Sequence, residues 1–193
     1  MKTVGAVEMG RWSREQFEKM IETGIFSPGT RAELIDGKIF SMTPQKRKHA
    51  AAIRAVEEAL RAAFHTGFDV QVQLPLALDA ASEPEPDLSV VQGSWRDYRE
   101  AHPASAVLVV EVADTSLEYD RDRKGSLYAR AGIADYWIVN LPDGRIEVYR
   151  DPAPSDNALY GWSYRTVEYY GPRQHLAPPA APRTTIAVDD LLP

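Results

Sequence analysis

The residues of this sequence that could do chemistry are acidic side chains placed among apolar ones. Glu111 interrupts the run Leu108–Val112, where a central strand would otherwise carry Val or Ile, and Asp87 opens the short strand Asp87–Val91. Ionised carboxylates are rarely buried unless they are paired or bind a metal. On neighbouring strands the two acids would form an all-oxygen site of the kind that Mg²⁺ or Mn²⁺ prefers. Alternatively, Glu111 faces solvent or an arginine at a strand end, and Asp87 belongs to a common Pro-Asp turn.

Lys124 continues the apolar stripe of the helix predicted after Glu111. It precedes Leu127 and Tyr128 by three and four residues, so the three side chains should share one helix face. An inward-facing lysine near the end of the Glu111 strand could orient a water beside a metal or offset charge on a phosphoryl group. The alternative is a surface ion pair with Asp120, four residues earlier.

Two further residues are weaker candidates on spacing alone. Glu33 lies just before the Asp36-Gly37 turn and could be an exposed strand residue. His49 follows Lys46–Lys48 at a predicted helix start and could be a partly exposed helix residue. The four histidines share no spacing typical of a zinc site, which makes a zinc hydrolase a poor fit. The sequence also contains no P-loop, dinucleotide fingerprint or Gly-x-Ser-x-Gly elbow.

The elements that must position these residues follow from hydrophobic periodicity and turn signals. Two Asp-Gly turns, each flanked by strand-like segments, predict two hairpins. The pattern predicts helices over 13–21, 45–64 and 120–131, hairpins over 31–42 and 135–150, and strands at 70–74, 87–91, 106–112 and 164–169. This mixture of strands and helices predicts a single α/β or α+β domain with a mixed central β-sheet.

Composition limits the class of protein further. The 193 residues contain no cysteine, which excludes disulfide frameworks and thiol nucleophiles. The formal net charge of −6, from 22 basic and 28 acidic side chains, argues against a general nucleic-acid coat. Residues 1–10 lack an apolar run of signal-peptide length, and the longest apolar stretch, Ala106–Val110, cannot span a bilayer. We therefore expect a soluble, cytoplasmic protein without membrane contact.

In this order, the motifs resemble the Uma2 family of restriction-endonuclease-like proteins, within the PD-(D/E)xK nuclease superfamily. Besides the helix that carries His49, the matching strings are Ala32–Gly37, Glu85–Val91, Leu108–Val112, Tyr119–Lys124, Leu127–Gly132 and Asp135–Val139. The similarity extends over about residues 13–149, most of the chain. Each string alone is weak evidence, whereas the ordered set is specific.

The resemblance implies a restriction-endonuclease-like fold and assigns roles to particular residues. It implies one domain over 1–193, with a core of about 13–150, a C-terminal extension over 151–193 and helices flanking the sheet. Asp87, Glu111 and the backbone carbonyl of Val112 would be the metal ligands, with Glu33 as a supporting catalytic acid. The superfamily lysine, usually two residues after the second acid, would instead be Lys124.

One departure from the family pattern lies beside the second acid. After Glu-Val the family usually continues with a small residue, Ser and Pro, whereas this chain has Ala113, Asp114 and Thr115. Asp114 could join the metal shell or cap the following helix.

These observations lead to the expectation of a Mg²⁺- or Mn²⁺-dependent DNA endonuclease. The catalytic residues would be Asp87, Glu111, Lys124 and Glu33, and the residues in contact with substrate would be Lys48, His49 and Tyr128. The acidic balance predicts weak, salt-sensitive DNA binding, and cutting both strands would be easiest for a homodimer. The alternatives are a nuclease that acts on RNA and a catalytically silent binding module with the same fold.

Overall fold

The computed structural model describes residues 10–27, 29–41 and 45–193. The helices are α1 (Arg14–Glu22), α2 (Arg47–Ala63) and α3 (Gly125–Arg130). The strands are β1 (Ala32–Ile35), β2 (Lys38–Ser41), β3 (Phe68–Val72), β4 (Leu88–Gln92), β5 (Leu108–Ala113), β6 (Asp135–Asn140), β7 (Arg145–Pro154), β8 (Trp162–Tyr170), β9 (His175–Leu176) and β10 (Ile186–Ala187).

Strands β3 to β8 form one six-stranded sheet in chain order. Only β5 and β6 run parallel, since the connection between them crosses over through α3, and the other neighbours are antiparallel. The described residues also form two small hairpins, β1–β2 and β9–β10. This mixed sheet with three helices confirms the predicted fold class.

β5 is buried along its whole length because both faces of the sheet are covered. Val110 and Val112 pack in the core that contains α2, whereas Val109 and Ala113 pack in the core that contains α3. Since side chains alternate along a strand, Glu111 shares the face of Val109 and Ala113. Its carboxylate is therefore directed to the side of the sheet that α3 and the preceding helical turn cover.

A π-helical turn, Tyr119–Lys124, runs directly into α3. The sequence predicts a single α-helix over this region, but the first part is wound more loosely. A π-helical turn holds an additional residue per turn and is often found at functional sites. Side chains five residues apart, such as Tyr119 and Lys124, are consequently brought together here.

The β1–β2 hairpin is held against the rest of the protein by hydrogen bonds to the segment before β4. Asp36 and Gly37 have φ values of 48° and 76°, the two positive values that a type I′ turn requires. Leu34 exchanges backbone hydrogen bonds with Glu83, which fixes the hairpin beside the sheet. The predicted end of the second strand, Met42, lies outside the described residues.

The central sheet includes a strand from the predicted C-terminal extension, β8. The strand predicted at 164–169 is part of β8, which pairs with β7 from Trp162 to Tyr170. The predicted boundary between core and extension at residue 150 thus falls inside β7. Across the described segments, none of the helices has the length and apolarity needed to cross a membrane.

The sequence signals for the start of α1 and the bounds of β3 differ in how well they predict the structure. Ser13 and Gln16 form the predicted capping box of α1. The strand predicted over 70–74 is displaced by two residues: β3 begins at Phe68, and it ends at Val72 because Gln73 adopts a left-handed backbone with φ of 52°. Leu74 therefore lies outside the strand, and it is 48% exposed.

Candidate active site

Asp87 and Glu111 lie side by side where β4 and β5 run antiparallel. Leu88 pairs with Val110, so Asp87, one residue before β4, lies opposite Glu111. The Asp87 amide donates a hydrogen bond to Glu111 Oε2 (3.3 Å), and the Val112 amide donates to Asp87 Oδ2 (2.9 Å). Strand pairing therefore brings the two predicted acids together and holds each carboxylate with a backbone amide.

Lys124 is buried and bridges acids from two different strands. Its Nζ atom lies 2.9 Å from Glu111 Oε1 and 3.3 Å from Glu33 Oε2, and all three residues are 3–4% exposed. Glu33 is therefore not an exposed strand residue. The alternative of a surface pair between Lys124 and Asp120 is also wrong, because Asp120 is buried and its carboxylate accepts a hydrogen bond from Ser116.

Two tyrosine hydroxyls orient the acids from the protein side. Tyr128 donates a 2.7 Å hydrogen bond to Glu111 Oε1, and Tyr119 donates a 3.1 Å hydrogen bond to Glu33 Oε1. The predicted contact between Tyr128 and substrate is wrong, because this side chain is fully buried in the core behind Glu111. Sequence reasoning missed Tyr119, since α-helical spacing would place it on a different face from Lys124.

Asp87 is held from two further directions. His49 Nε2 lies 3.2 Å from Asp87 Oδ2, and Gln73 Nε2 donates a 3.2 Å hydrogen bond to Asp87 Oδ1. His49 was predicted as a residue that contacts substrate, and the structure does bring it to the site. Gln73 was not predicted; its only signal is its position directly after β3, where the left-handed turn directs it toward Asp87.

The basic start of α2 contributes a different lysine from the one predicted. Lys48 is exposed and its amine lies 3.5 Å from the Leu141 carbonyl, so the structure does not bring it to the acids. Lys46, two residues earlier, lies at the site and pairs with Asp114 at 3.0 Å. Asp114 thus neither caps a helix nor contacts the other acids directly.

A cavity of about 520 Å³ opens over these side chains. Its inner wall is formed by Glu33, Asp87, Glu111 and Lys124, and its rim by residues from the β1–β2 hairpin and the start of α2. Rim residues include Arg31, Phe40, Gln45, Lys46, His49 and Asp114. A molecule that enters the cavity can therefore reach the buried acids.

The model of the Uma2 family, described as "Putative restriction endonuclease", matches residues 14–189. This chain belongs to the Uma2 family. The resemblance seen in the ordered motifs is thereby confirmed, and the match continues beyond Tyr149 into the C-terminal strands. No curated protein matches the Uma2 chain.

Among solved structures, the Uma2 chain is similar to a crystal structure described as a putative nuclease from Anabaena variabilis. The TM-score is 0.66 at 15% sequence identity, and the alignment covers 93% of this chain and 96% of the other. At this identity the match establishes the shared fold.

The site of this Uma2 protein contains more buried negative than positive charge. Burial lowers the pKa of Lys124, but the charges of Glu111 and Glu33 outweigh this effect and hold the pKa well above its ordinary value. Burial raises the pKa of Glu111, and the charge of Asp87 adds to the increase, although Lys124 opposes it. The lysine therefore remains charged, and one cation does not balance the surrounding acids.

Asp87 behaves differently from the other acids of the site. Burial opposes its ionisation, but hydrogen bonds from His49 and the Val112 amide hold its pKa below its ordinary value. Burial lowers the pKa of His49, and its contact with Asp87 raises it by more. Burial raises the pKa of Asp120 to about 6, because the charge of Lys124 and the hydrogen bond from Ser116 oppose this increase only in part.

The oxygen atoms of the site suit a hard divalent cation. Asp87 and Glu111 are adjacent, and Val112 lines the same cavity. The described part of the chain contains no cluster of three His, Cys, Asp or Glu side chains arranged for a metal. Two carboxylates and one carbonyl nevertheless supply the oxygen ligands that Mg²⁺ or Mn²⁺ accepts alongside waters. The residues present fit such an ion.

Proposed function

We propose that this Uma2 protein is a Mg²⁺- or Mn²⁺-dependent endonuclease that hydrolyses phosphodiester bonds in DNA. The observation that carries the proposal is the convergence of Glu33, Asp87, Glu111 and Lys124 on the wall of one cavity. Charged side chains are costly to bury, and clusters with perturbed pKa values that line a cavity are typical of functional sites. Membership of a family described as "Putative restriction endonuclease" supports the reaction class.

Each residue of the cluster has a separate role in this proposal. Asp87, Glu111 and the Val112 carbonyl would hold the ion, which when bound would polarise the scissile phosphate and lower the pKa of a water. Lys124 is held by Glu111 and Glu33 at the cavity wall, where its amine can also donate to the attacking water or to a phosphate oxygen. Glu33 holds the lysine amine in place together with Glu111.

The rim of the cavity supports weak rather than tight binding of a nucleic acid. Lys46 pairs with Asp114, and Arg31 pairs with Glu85, so both cations are already partly neutralised. Phosphate binding would have to displace these pairs, and affinity that depends on a few cations falls steeply with salt. We therefore expect DNA binding that is salt-sensitive and stronger in the presence of the metal.

The direct test is cleavage of supercoiled plasmid DNA with Mg²⁺, Mn²⁺ or EDTA. Wild-type protein should cut with either metal and not in EDTA. Glu111→Gln and Lys124→Met should each reduce the cleavage rate by about 100-fold or more, because each removes charge that acts on the transition state. Glu58→Gln is the matched control, since Glu58 is exposed on α2, and it should cut like the wild type.

The cleavage products and the range of substrates that are cut distinguish a DNA endonuclease from an RNA nuclease and from a silent binding module. Absence of cleavage under all metals, or cleavage that survives in a Glu111→Gln, Lys124→Met double variant, would contradict the endonuclease proposal. Binding of Mn²⁺ without any cleavage would favour the silent binding module, and cleavage of RNA alone would move the activity to RNA. A homodimer should give linear plasmid directly, whereas a single site should accumulate the nicked form first.

A further inference from the structure

A second cavity lies next to the candidate active site. Its volume is about 780 Å³, larger than that of the cavity over the acids, and Tyr119 lines both. The π-helical turn thus forms the wall between them. The second cavity is bounded on its other side by β7, β8 and the loop that connects them.

Arg123 lies on this shared wall and has its charge available. Its guanidinium packs over the rings of Phe40 (5.0 Å) and Tyr119 (5.7 Å), and its Nη1 atom donates a 2.8 Å hydrogen bond to the Tyr160 hydroxyl. Among the described residues, no carboxylate lies within ion-pair distance of it. Arg121, by contrast, is engaged by Glu147 through two hydrogen bonds. Arg123 is therefore a preorganised cation beside the site.

The walls of the second cavity combine aromatic faces with small polar groups. Tyr149 and Trp162 are half-buried and line it, together with the polar side chains of Ser155 and Asn157. Proteins that bind single-stranded nucleic acid stack bases on aromatic rings and contact the backbone with cations. A cavity of this size is also within the range that binds ligands of nucleotide size.

Two carboxylates in the second cavity reduce the electrostatic contribution of Arg123 to the binding of a phosphate. Glu118 and Asp122 are exposed and line the same cavity. Phosphate attraction by Arg123 is therefore partly offset, and base stacking has to supply much of the affinity. This balance favours an unpaired nucleotide, whose base can leave its own stack, over a duplex backbone that is bound by charge alone.

We propose that the second cavity binds an unpaired nucleotide of the substrate strand, adjacent to the phosphate that is cleaved. Arg123 contacts the phosphate that links the two cavities, and the neighbouring base stacks on Trp162. This assignment rests on the proposed nuclease function, because it takes the strand in the second cavity to be the one that is cut over Glu111 and Lys124.

The test measures binding without cleavage. A fluorescein-labelled single strand of about ten nucleotides is titrated with protein in EDTA, and fluorescence anisotropy gives the Kd. Trp162→Leu and Arg123→Gln should each raise the Kd about fivefold or more, and Trp162→Phe should bind within about twofold of the wild type. Arg123→Gln should also reduce the slope of log K against log salt by about 0.7.

A matched control and a folding check make the outcome decisive. Arg165→Gln removes an exposed arginine from β8 and should leave the Kd unchanged. Circular dichroism checks that each variant folds, and Arg123→Gln still tests the assignment if Trp162→Leu does not fold. Unchanged affinity in the folded variants, or an equal loss in Arg165→Gln, would overturn the assignment.

The two proposals fail in different ways. Plasmid that stays intact while Trp162→Leu and Arg123→Gln weaken single-strand binding would refute the cleavage proposal and support the cavity as a nucleotide site. Plasmid that is cut normally while both variants bind like the wild type would refute the cavity assignment alone.

Discussion

Two buried charge clusters, one beside β5 and one beside β7, differ in how their charges balance. The acid-rich cluster contains one lysine among four buried acids: Glu33, Asp87, Glu111, Asp120 and Lys124. The donor-rich cluster surrounds one buried acid, Glu147, which accepts hydrogen bonds from Arg121, Arg145, Asn140 and Tyr149. The more exposed Asp143 pairs with Arg145 at its edge. Glu111 and Glu147 are thus nearly equally buried but have opposite surroundings.

The pKa values of the two glutamates follow this difference. Burial would raise the pKa of Glu147, but Arg121 and the other donors lower it to about 2, whereas the pKa of Glu111 is raised. A fully satisfied carboxylate stabilises the fold and has no need of a further cation. A carboxylate among other acids is stabilised by any additional positive charge. The balance of charge therefore distinguishes the candidate site from the scaffold.

Loss of the single buried acid in the donor-rich cluster should have the largest effect on stability. Glu147→Gln removes the anion that the Arg121 and Arg145 guanidinium groups share, and among the described residues only Arg145 keeps another carboxylate partner, Asp143. We expect the free energy of unfolding to fall by about 3 kcal/mol, as for other broken buried pairs. Urea denaturation measures it, with Glu58→Gln as an exposed control. A loss no larger than that of the control would show that the cluster does not support the fold.

Binding of a divalent metal to the acid-rich cluster should change the free energy of unfolding slightly less than Glu147→Gln does, and in the stabilising direction. At 100 times the Kd, bound Mn²⁺ should raise the free energy of unfolding by about 2.7 kcal/mol. Asp87→Asn removes one proposed ligand and should abolish the increase in thermal midpoint, whereas Glu147→Gln should retain it. Equal stabilisation of wild type and Asp87→Asn would place the metal elsewhere.

The hydroxyl of Tyr128 should contribute less, because it orients one carboxylate and makes one hydrogen bond. Tyr128→Phe removes that bond to Glu111 and should lower the free energy of unfolding by about 1.5 kcal/mol. Plasmid cleavage should slow as well, since Glu111 loses an orienting contact. Tyr98→Phe is the matched control, because its hydroxyl bonds the Gln92 carbonyl away from the site. Wild-type cleavage by Tyr128→Phe would rule out the orienting role.

Glu83 tests the same principle outside both clusters. Burial and the neighbouring Glu18 raise its pKa to about 7 from an ordinary value of 4.5. The folded protein therefore binds the carboxyl proton of Glu83 more tightly than the unfolded chain does. The contribution of this proton to the free energy of unfolding is complete below pH 4.5 and is lost as the pH rises through 7. Glu83→Gln should remove this decline and raise stability at pH 8 by about 1 kcal/mol. Parallel pH profiles of unfolding for the variant and the wild type would contradict this.

Local signals in the sequence predicted most of the elements. The Asp36-Gly37 pair predicted the first hairpin because few other residue pairs adopt two successive positive φ values. The apolar run around Glu111 predicted a central strand, and the stripe from Lys124 to Tyr128 predicted an inward-facing lysine. Each of these inferences depends only on neighbours in the chain.

The errors concern residues whose surroundings are set by distant parts of the chain. Lys46 and Lys48 are two residues apart on the same helix, and only the packing of α2 decides which of them lies at the cavity. Tyr128 shares the face of Lys124 as predicted, yet it packs behind Glu111 rather than in the cavity. Helix periodicity specifies a face, but not the depth at which a side chain lies.

The sequence by itself determined the type of most elements and predicted which charged side chains would gather at one site: Glu33, Asp87, Glu111 and Lys124. Only the tertiary structure decided that Tyr119 and Gln73 complete the site. The physical reason is that periodicity depends on the local backbone. Charge balance and hydrogen-bond partners, in contrast, depend on segments that meet only when the sheet has formed.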